Sequence, residues 1–339
     1  MKHARMGMAG IVILAAGCNG KEPEGDGGNL LDTGWFTSTG TPIDPENCPD
    51  KFKTTSPADG ATDWYWRDRP TLYTETTNQA AYDAWIQTTD GERVDAELVW
   101  DTATGLSFTL EWEGALEPDT TYELGIEDCA SARVLTFTTS SLGRPLEIEP
   151  EALVGNTYLV DLVGAEWVQP AALAGVLQQY FNTPILLGIR LADDEYVKLV
   201  GAPGAVDTLG NVTQDRSSPT WNFPLADFTE APYLDVAAPQ IEFQYNDAGT
   251  SIQVPVEDFV LTGTLSSDGT ELGGGVLSGL GDSRYIGAEL LGGDPGDLCV
   301  LAEGLGVDCV PCSDGQPYCL QLVARSLEGT LLPELVITD

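Results

Sequence analysis

Between residues 69 and 138, short runs of β-branched and aromatic residues recur about every 8–12 residues, each closed by turn-forming residues. This is the pattern of an antiparallel sandwich. The runs cover 69–74, 84–88, 94–100, 106–110, 121–126 and 134–138, and Asp90-Gly91 and Thr104-Gly105 supply hairpin turns. About seven strands are expected in a first domain spanning 48–141. A content of 38 Gly and 21 Pro agrees with a chain of many turns and short strands, and 339 residues leave room for a second domain over 145–339. The expected fold is mainly β, a sandwich followed by an antiparallel β-rich domain with one packed helix.

The second domain opens with an apolar run, 158–163. Pro170 then suits the first position of a helix over 170–181, in which Leu173, Val176, Leu177, Tyr180 and Phe181 share one face. Asn182 and Pro184 end it. Strands are expected at 185–192, 196–200, 241–245, 252–256, 259–265, 271–280 and 320–324, with Ser267-Asp268-Gly269 as a hairpin turn. A short helix near 296–303 would carry Cys299. The run Gly273-Gly274-Gly275 lies inside a hairpin and reads as a bulge rather than a phosphate cradle.

The first 17 residues have a basic start, Lys2 and Arg5, and an apolar stretch from Met6 to Ala16, the layout of a secretory signal. They end Leu14-Ala15-Ala16-Gly17-Cys18, which resembles the lipobox of bacterial lipoproteins. The resemblance implies cleavage before Cys18 and acylation of its thiol, hence a membrane anchor. Leu14 stands four residues before the cysteine where the family has it three before. Two or more acyl chains make such an anchor stable, at about 0.8 kcal/mol per buried CH₂. Asn19, in place of Asp, implies transfer to the outer membrane. The alternative is an ordinary cleaved signal followed by a free Cys18. Residues 18–47 are rich in Gly, Thr, Pro and acids, and read as a flexible acidic tether reaching on the order of 30 Å.

Seven cysteines are an odd number for an oxidising compartment. Assigning Cys18 to lipid leaves Cys48, Cys129, Cys299, Cys309, Cys312 and Cys319, an even set for disulfides. Cys48 stands just before the first domain and Cys129 near its end, so these two are expected to pair. The last four allow three connectivities, with Cys299 to Cys309 and Cys312 to Cys319 taken as the working one. A zinc site is the alternative, since Cys309 and Cys312 have ligand spacing, but exported thiolates usually oxidise.

The segment Leu116-Glu117-Pro118-Asp119-Thr120-Thr121-Tyr122 resembles the L-x-P-x-T-x-Y element of immunoglobulin-like and fibronectin-like sandwiches. With Ser56-Pro57-Ala58-Asp59-Gly60-Ala61 before it and Phe137-Thr138-Thr139 after it, residues 48–141 resemble the bacterial Ig-like domains of surface-layer and adhesin-type proteins. The resemblance implies that the Tyr122 hydroxyl bonds to backbone just upstream, and that Cys48 and Cys129 meet at one end of the sandwich. Trp64, Trp66, Trp85, Trp100 and Trp112 are expected to pack the core, the alternative being a sugar-stacking platform.

From Cys18 onward, 13 basic residues face 53 acidic ones, a net charge of −40 once Lys2 and Arg5 are removed from the total of 15. Such a surface repels nucleic acid, which is not an expected partner. His3, the only histidine, lies in the leader, so the mature chain has no histidine for Ser-His-Asp or Cys-His catalysis or for metal binding. No cofactor is expected. Calcium on Asp193-Asp194-Glu195 and Asp207 is the weaker reading, since no D-x-D-x-D-G loop is present. The function expected is a non-enzymatic envelope lipoprotein, an Ig-like spacer or adhesion module presenting the β-rich domain to a protein or polysaccharide partner. One alternative is a lipid-binding accessory with an apolar cavity under the 170–181 helix, lined by Leu173, Leu177 and Phe181. The other is a carbohydrate-active enzyme using two carboxylates.

Overall fold

The computed structural model describes residues 48–180, 183–247, 250–286 and 293–339. Cys18, the tether, Phe181 and Asn182 lie outside them, as do the side chains of Val176 and Tyr180.

The first domain is a sandwich of two four-stranded sheets. One runs β1 (Phe52–Ser56), β3 (Thr71–Thr74), β6 (Ser107–Glu111), β5 (Glu97–Trp100). The other runs β2 (Ala61–Trp64), β8 (Ala132–Thr139), β7 (Thr121–Glu127), β4 (Asp83–Thr88). Alternation along the strands sends Phe52, Leu72, Phe108 and Leu110 from one sheet, and Ile86, Tyr122, Leu124, Ile126 and Phe137 from the other, into a shared buried core. Each of the six anticipated runs contains a strand; β1 and β2 are additional. All pairings are antiparallel except β2 with β8, which is parallel. Asp90-Gly91 turns the chain with Gly91 at φ 93°, but only a single bridge, Gln87 to Arg93, follows before the chain crosses to the opposite sheet. Thr104-Gly105 does join paired strands, β5 and β6.

The second domain is one ten-stranded antiparallel sheet. Its main path is β13 (Val212–Gln214), β12 (Tyr196–Val206), β11 (Ile185–Ala192), β9 (Thr157–Val160), β18 (Cys319–Leu331), β17 (Glu271–Asp282), β16 (Thr250–Leu265), β15 (Tyr233–Asp247). Two further strands join it, β10 (Glu166–Gln169) beside β18 and β14 (Trp221–Asp227) beside β12. The sheet curls until β14 and β15 lie side by side, with Trp221 edge-on to Phe243 at 5.4 Å between ring centroids. The concave side therefore becomes a barrel-like interior filled by Tyr158, Leu199, Phe223, Val236, Val256 and Leu327. On the outside of β11 and β12, the C-terminal segment covers Leu186, Val200 and Ala202 with Ile337.

β12 and β15 run well beyond the expected 196–200 and 241–245, and two other strands prove longer for one local reason. Runs 252–256 and 259–265 are a single strand, because Asp258 takes a left-handed conformation (φ 48°) that bulges β16 without ending it. Ser326 (φ 55°) does the same in β18, which continues to Leu331 rather than stopping at residue 324. The helix is shorter than expected. Pro170 is extended (ψ 115°) and precedes a 3₁₀ turn, Ala171–Leu173, so the α-helix α1 spans only Ala174–Tyr180. Leu173 and Leu177 still reach the core. A second helix, α2 (Asp297–Gly304), carries Cys299.

Candidate functional site

The most elaborate side-chain constellation is the seam between sandwich and barrel, built by the loop after β2. Tyr65, Trp66 and Arg67 project from it toward β15, β16 and β17. The Tyr65 hydroxyl shares a 2.6 Å hydrogen bond with Thr264 Oγ1, and Trp66 Nε1 donates to the same oxygen at 3.3 Å. The Arg67 guanidinium lies 3.5 Å over the Tyr233 ring, 4.8 Å over Trp66, and pairs with Glu230. An arginine between two aromatic faces and a carboxylate loses little to desolvation, because each face supplies electron density in place of water. Burial pushes the Tyr65 hydroxyl up to about 12, with the Thr264 hydrogen bond opposing.

The bulge in β17 makes this fit possible. Gly274 has φ 59°, and a Cβ there would overlap the Tyr65 ring; one on Gly273 would overlap Leu142. The three glycines thus do mark a bulge, and its use is close approach by the neighbouring domain. A backbone bond from Glu147 N–H to the Ser267 carbonyl, 2.7 Å, extends the seam.

The six cysteines form three disulfides, Cys48–Cys129, Cys299–Cys309 and Cys312–Cys319, with Cα separations of 5.7, 5.7 and 5.1 Å. The last two build a compact knot at one end of the barrel. Ser313 donates to Glu257 from both its amide and its hydroxyl at 2.7 Å, and Arg284 joins Asp282 to Asp314. Hydrogen bonds to Asp282 and Asp314 hold the Arg284 guanidinium firmly protonated. The outer side of α2 presents Val300, Leu301 and Leu305 to solvent.

A set of aspartates serves local backbone. Asp101, Asp128, Asp193, Asp207, Asp215, Asp227, Asp268 and Asp314 each accept the amide two residues on, closing a turn. Asn211 side-chain and backbone donors hold the Asp207 carboxyl below its usual range, and Ser266 and Thr270 hydroxyls do so for Asp268. Among the described residues no three His, Cys, Asp or Glu side chains gather to hold a metal ion.

The tryptophans meet the expectation of core packing in part. None of the five is in the deep core. Trp64, Trp100 and Trp112 pack on its margin, Trp66 sits in the seam, and Trp85 lies on the outer face of β4, covered by Arg93 at 4.4 Å. In the barrel an apolar cavity of about 20 Å³ is bordered by Leu162, Trp221, Phe223, Phe243, Phe259 and Leu277. That is room for about one water molecule, far below an acyl chain. Leu173 and Leu177 do not line it.

No protein-family model matches the chain, and no curated protein matches it in sequence. Sequence reasoning singled out Trp66 and the glycine run but not their meeting, and it missed Tyr65, Arg67, Tyr233 and Thr264. Their only signal was the coincidence of a Tyr-Trp-Arg loop with a glycine run some 200 residues later, and nothing in one sequence joins the two.

Proposed function

We propose that this protein is a non-enzymatic lipoprotein of the bacterial cell envelope, exported, acylated at Cys18 and held at the outer membrane. An Ig-like sandwich acts in it as a spacer or adhesion module carrying the β-rich domain toward a protein or polysaccharide partner. The observation that carries this reading is the cysteine balance. Cys48, Cys129, Cys299, Cys309, Cys312 and Cys319 pair among themselves, so Cys18 is the one cysteine outside the three pairs, and in the sequence it directly follows the stretch that resembles a lipoprotein leader. The hydrogen bond from Glu117 N–H to the Tyr122 hydroxyl, 2.9 Å, supports the Ig-like reading, being the corner contact that the L-x-P-x-T-x-Y segment implies. The charge of −40 supports a partner other than nucleic acid.

Mass spectrometry of the mature N-terminal peptide from a bacterial host tests the anchor. A diacylglyceryl mass on Cys18, and release of the Cys18→Ala protein from membranes into the soluble fraction, are the expected results. An unmodified Cys18 would overturn the reading.

A further inference from the structure

We propose that the Cys48–Cys129 disulfide is a mechanical strut, which carries force arriving along the N-terminal segment directly into β8 and so past the rest of the sandwich. The physiological direction of that force rests on the Cys18 anchor proposed above; the load path itself follows from connectivity.

The chain enters the described fold at Cys48, immediately before β1. Among the described residues that strand is a sheet edge, paired with β3 alone through Phe52–Ser56. Tension applied to the start of an edge strand is resisted by one ladder alone, where an interior strand is held by two. The disulfide stands upstream of β1 and diverts the tension before it reaches the first of those bonds. It delivers it to Cys129, three residues before β8 begins, after bypassing a separation of 81 residues.

β8 is suited to receive it. The strand runs from Ala132 to Thr139 between β2 and β7, so it is an interior strand with a neighbour on each side. It is already extended, at about 3.3 Å per residue against a limit of about 3.6 Å, and pulling on its two ends finds almost no slack. Its far end is tied down by Thr139 N–H to the Thr120 carbonyl at 3.0 Å, Thr139 Oγ1 to the Glu117 carbonyl at 2.7 Å, and Ser140 N–H to the Trp64 carbonyl at 2.8 Å. From there the chain passes Leu142, seated against Gly273, and Glu147, bonded to Ser267, into the barrel. The load line thus runs disulfide, β8, linker, barrel. The core residues Phe52, Leu72, Phe108 and Leu124 belong to strands outside it.

Single-molecule pulling of the mature chain, with handles at its two ends, tests this against the Cys48→Ser, Cys129→Ser double variant. In the wild type all length increments are expected to come from the barrel, with no rupture from the sandwich. The variant is expected to add one rupture at lower force than the barrel's, releasing roughly 290 Å more contour at about 3.6 Å per residue. A sandwich rupture in the oxidised wild type, or a variant with the same ruptures as wild type, would overturn the proposal. Should the variant not fold, the wild-type trace decides alone: increments that exceed the barrel's residues refute the strut, and increments that stop there support it. The handles are attached to protein, so absence of lipid on Cys18 would refute the anchor and leave this result unchanged.

Discussion

The sandwich and the barrel solve the same problem, holding a β core together, with opposite use of covalent bonds. The sandwich, whose longest strand has 8 residues, closes a separation of 81 residues with one disulfide. The barrel has strands of 15, 16, 12 and 13 residues in β15 to β18, and places its two disulfides across separations of only 10 and 7. Long strands supply many ladder bonds and cross-strand contacts per turn of chain, so the barrel's body needs no long-range link. Its disulfides instead stiffen a knot that has little core of its own. The comparison teaches that a disulfide's contribution depends on where it closes the chain, since the entropy removed from the unfolded state grows with loop length, though only logarithmically.

The sharpest way to break this contrast is to remove the long link. The Cys48→Ser, Cys129→Ser variant is expected to lose about 4.5 kcal/mol in the chain-entropy model. Calorimetry should then show the sandwich melting well before the barrel. Next in size, Gly274→Ala forces a Cβ into the Tyr65 ring and a left-handed conformation on alanine, together costing about 3 kcal/mol. If the seam couples the domains, this change should split a shared denaturation transition into two. Removing Cys299–Cys309 by a double serine substitution should cost less, about 2.5 kcal/mol, and hydrogen exchange should localise the loss to α2 and its neighbours.

Tyr65→Phe gives a smaller effect, about 1 kcal/mol for the lost hydrogen bond to Thr264. It also carries a pH signature. The unfolded chain ionises Tyr65 near 10, while the folded state holds the proton until about 12, so the stabilisation is intact below about pH 10 and is lost as pH rises through 12. Wild-type stability should fall over that window by on the order of 2 kcal/mol more than that of the phenylalanine variant, followed by denaturant titration. The smallest expected effect is electrostatic. Raising ionic strength from about 0.01 to 1 M shortens the screening length from roughly 30 to 3 Å, and should raise the melting temperature by a few degrees by quieting repulsion among the acids. A melting temperature that falls with salt would show that ion pairs such as Arg284 with Asp282 and Asp314 outweigh that repulsion.

The sandwich was far more legible than the barrel, and proline and bulges explain much of the gap. β14 contains Pro224, which argues against a strand; it is tolerated because the ladder with β12 shifts register between the pairs Lys198 with Leu225 and Val200 with Asn222. β15 contains Pro239 opposite the bulged Asp258, so only its 241–245 portion had a clean pattern. β10 is four residues long and announces itself only by Trp167. In the candidate site, the knot cysteines were visible from residue type and spacing. The seam was not, because stacking of Arg67 on Tyr233 joins residues 166 apart that carry no shared local pattern.

What the sequence determined by itself is whatever depends on near neighbours: alternation that makes strands, Gly and Asp that make turns, and a cysteine count that becomes even once Cys18 is set aside. The tertiary structure alone decided the curl of the second sheet until β14 met β15, the use of the glycine bulge as a socket for Tyr65 at Gly274 and for Leu142 at Gly273, and the choice among three pairings of the last four cysteines. Those outcomes are set by which distant surfaces come into contact, and that is a property of packing rather than of any local stretch of chain.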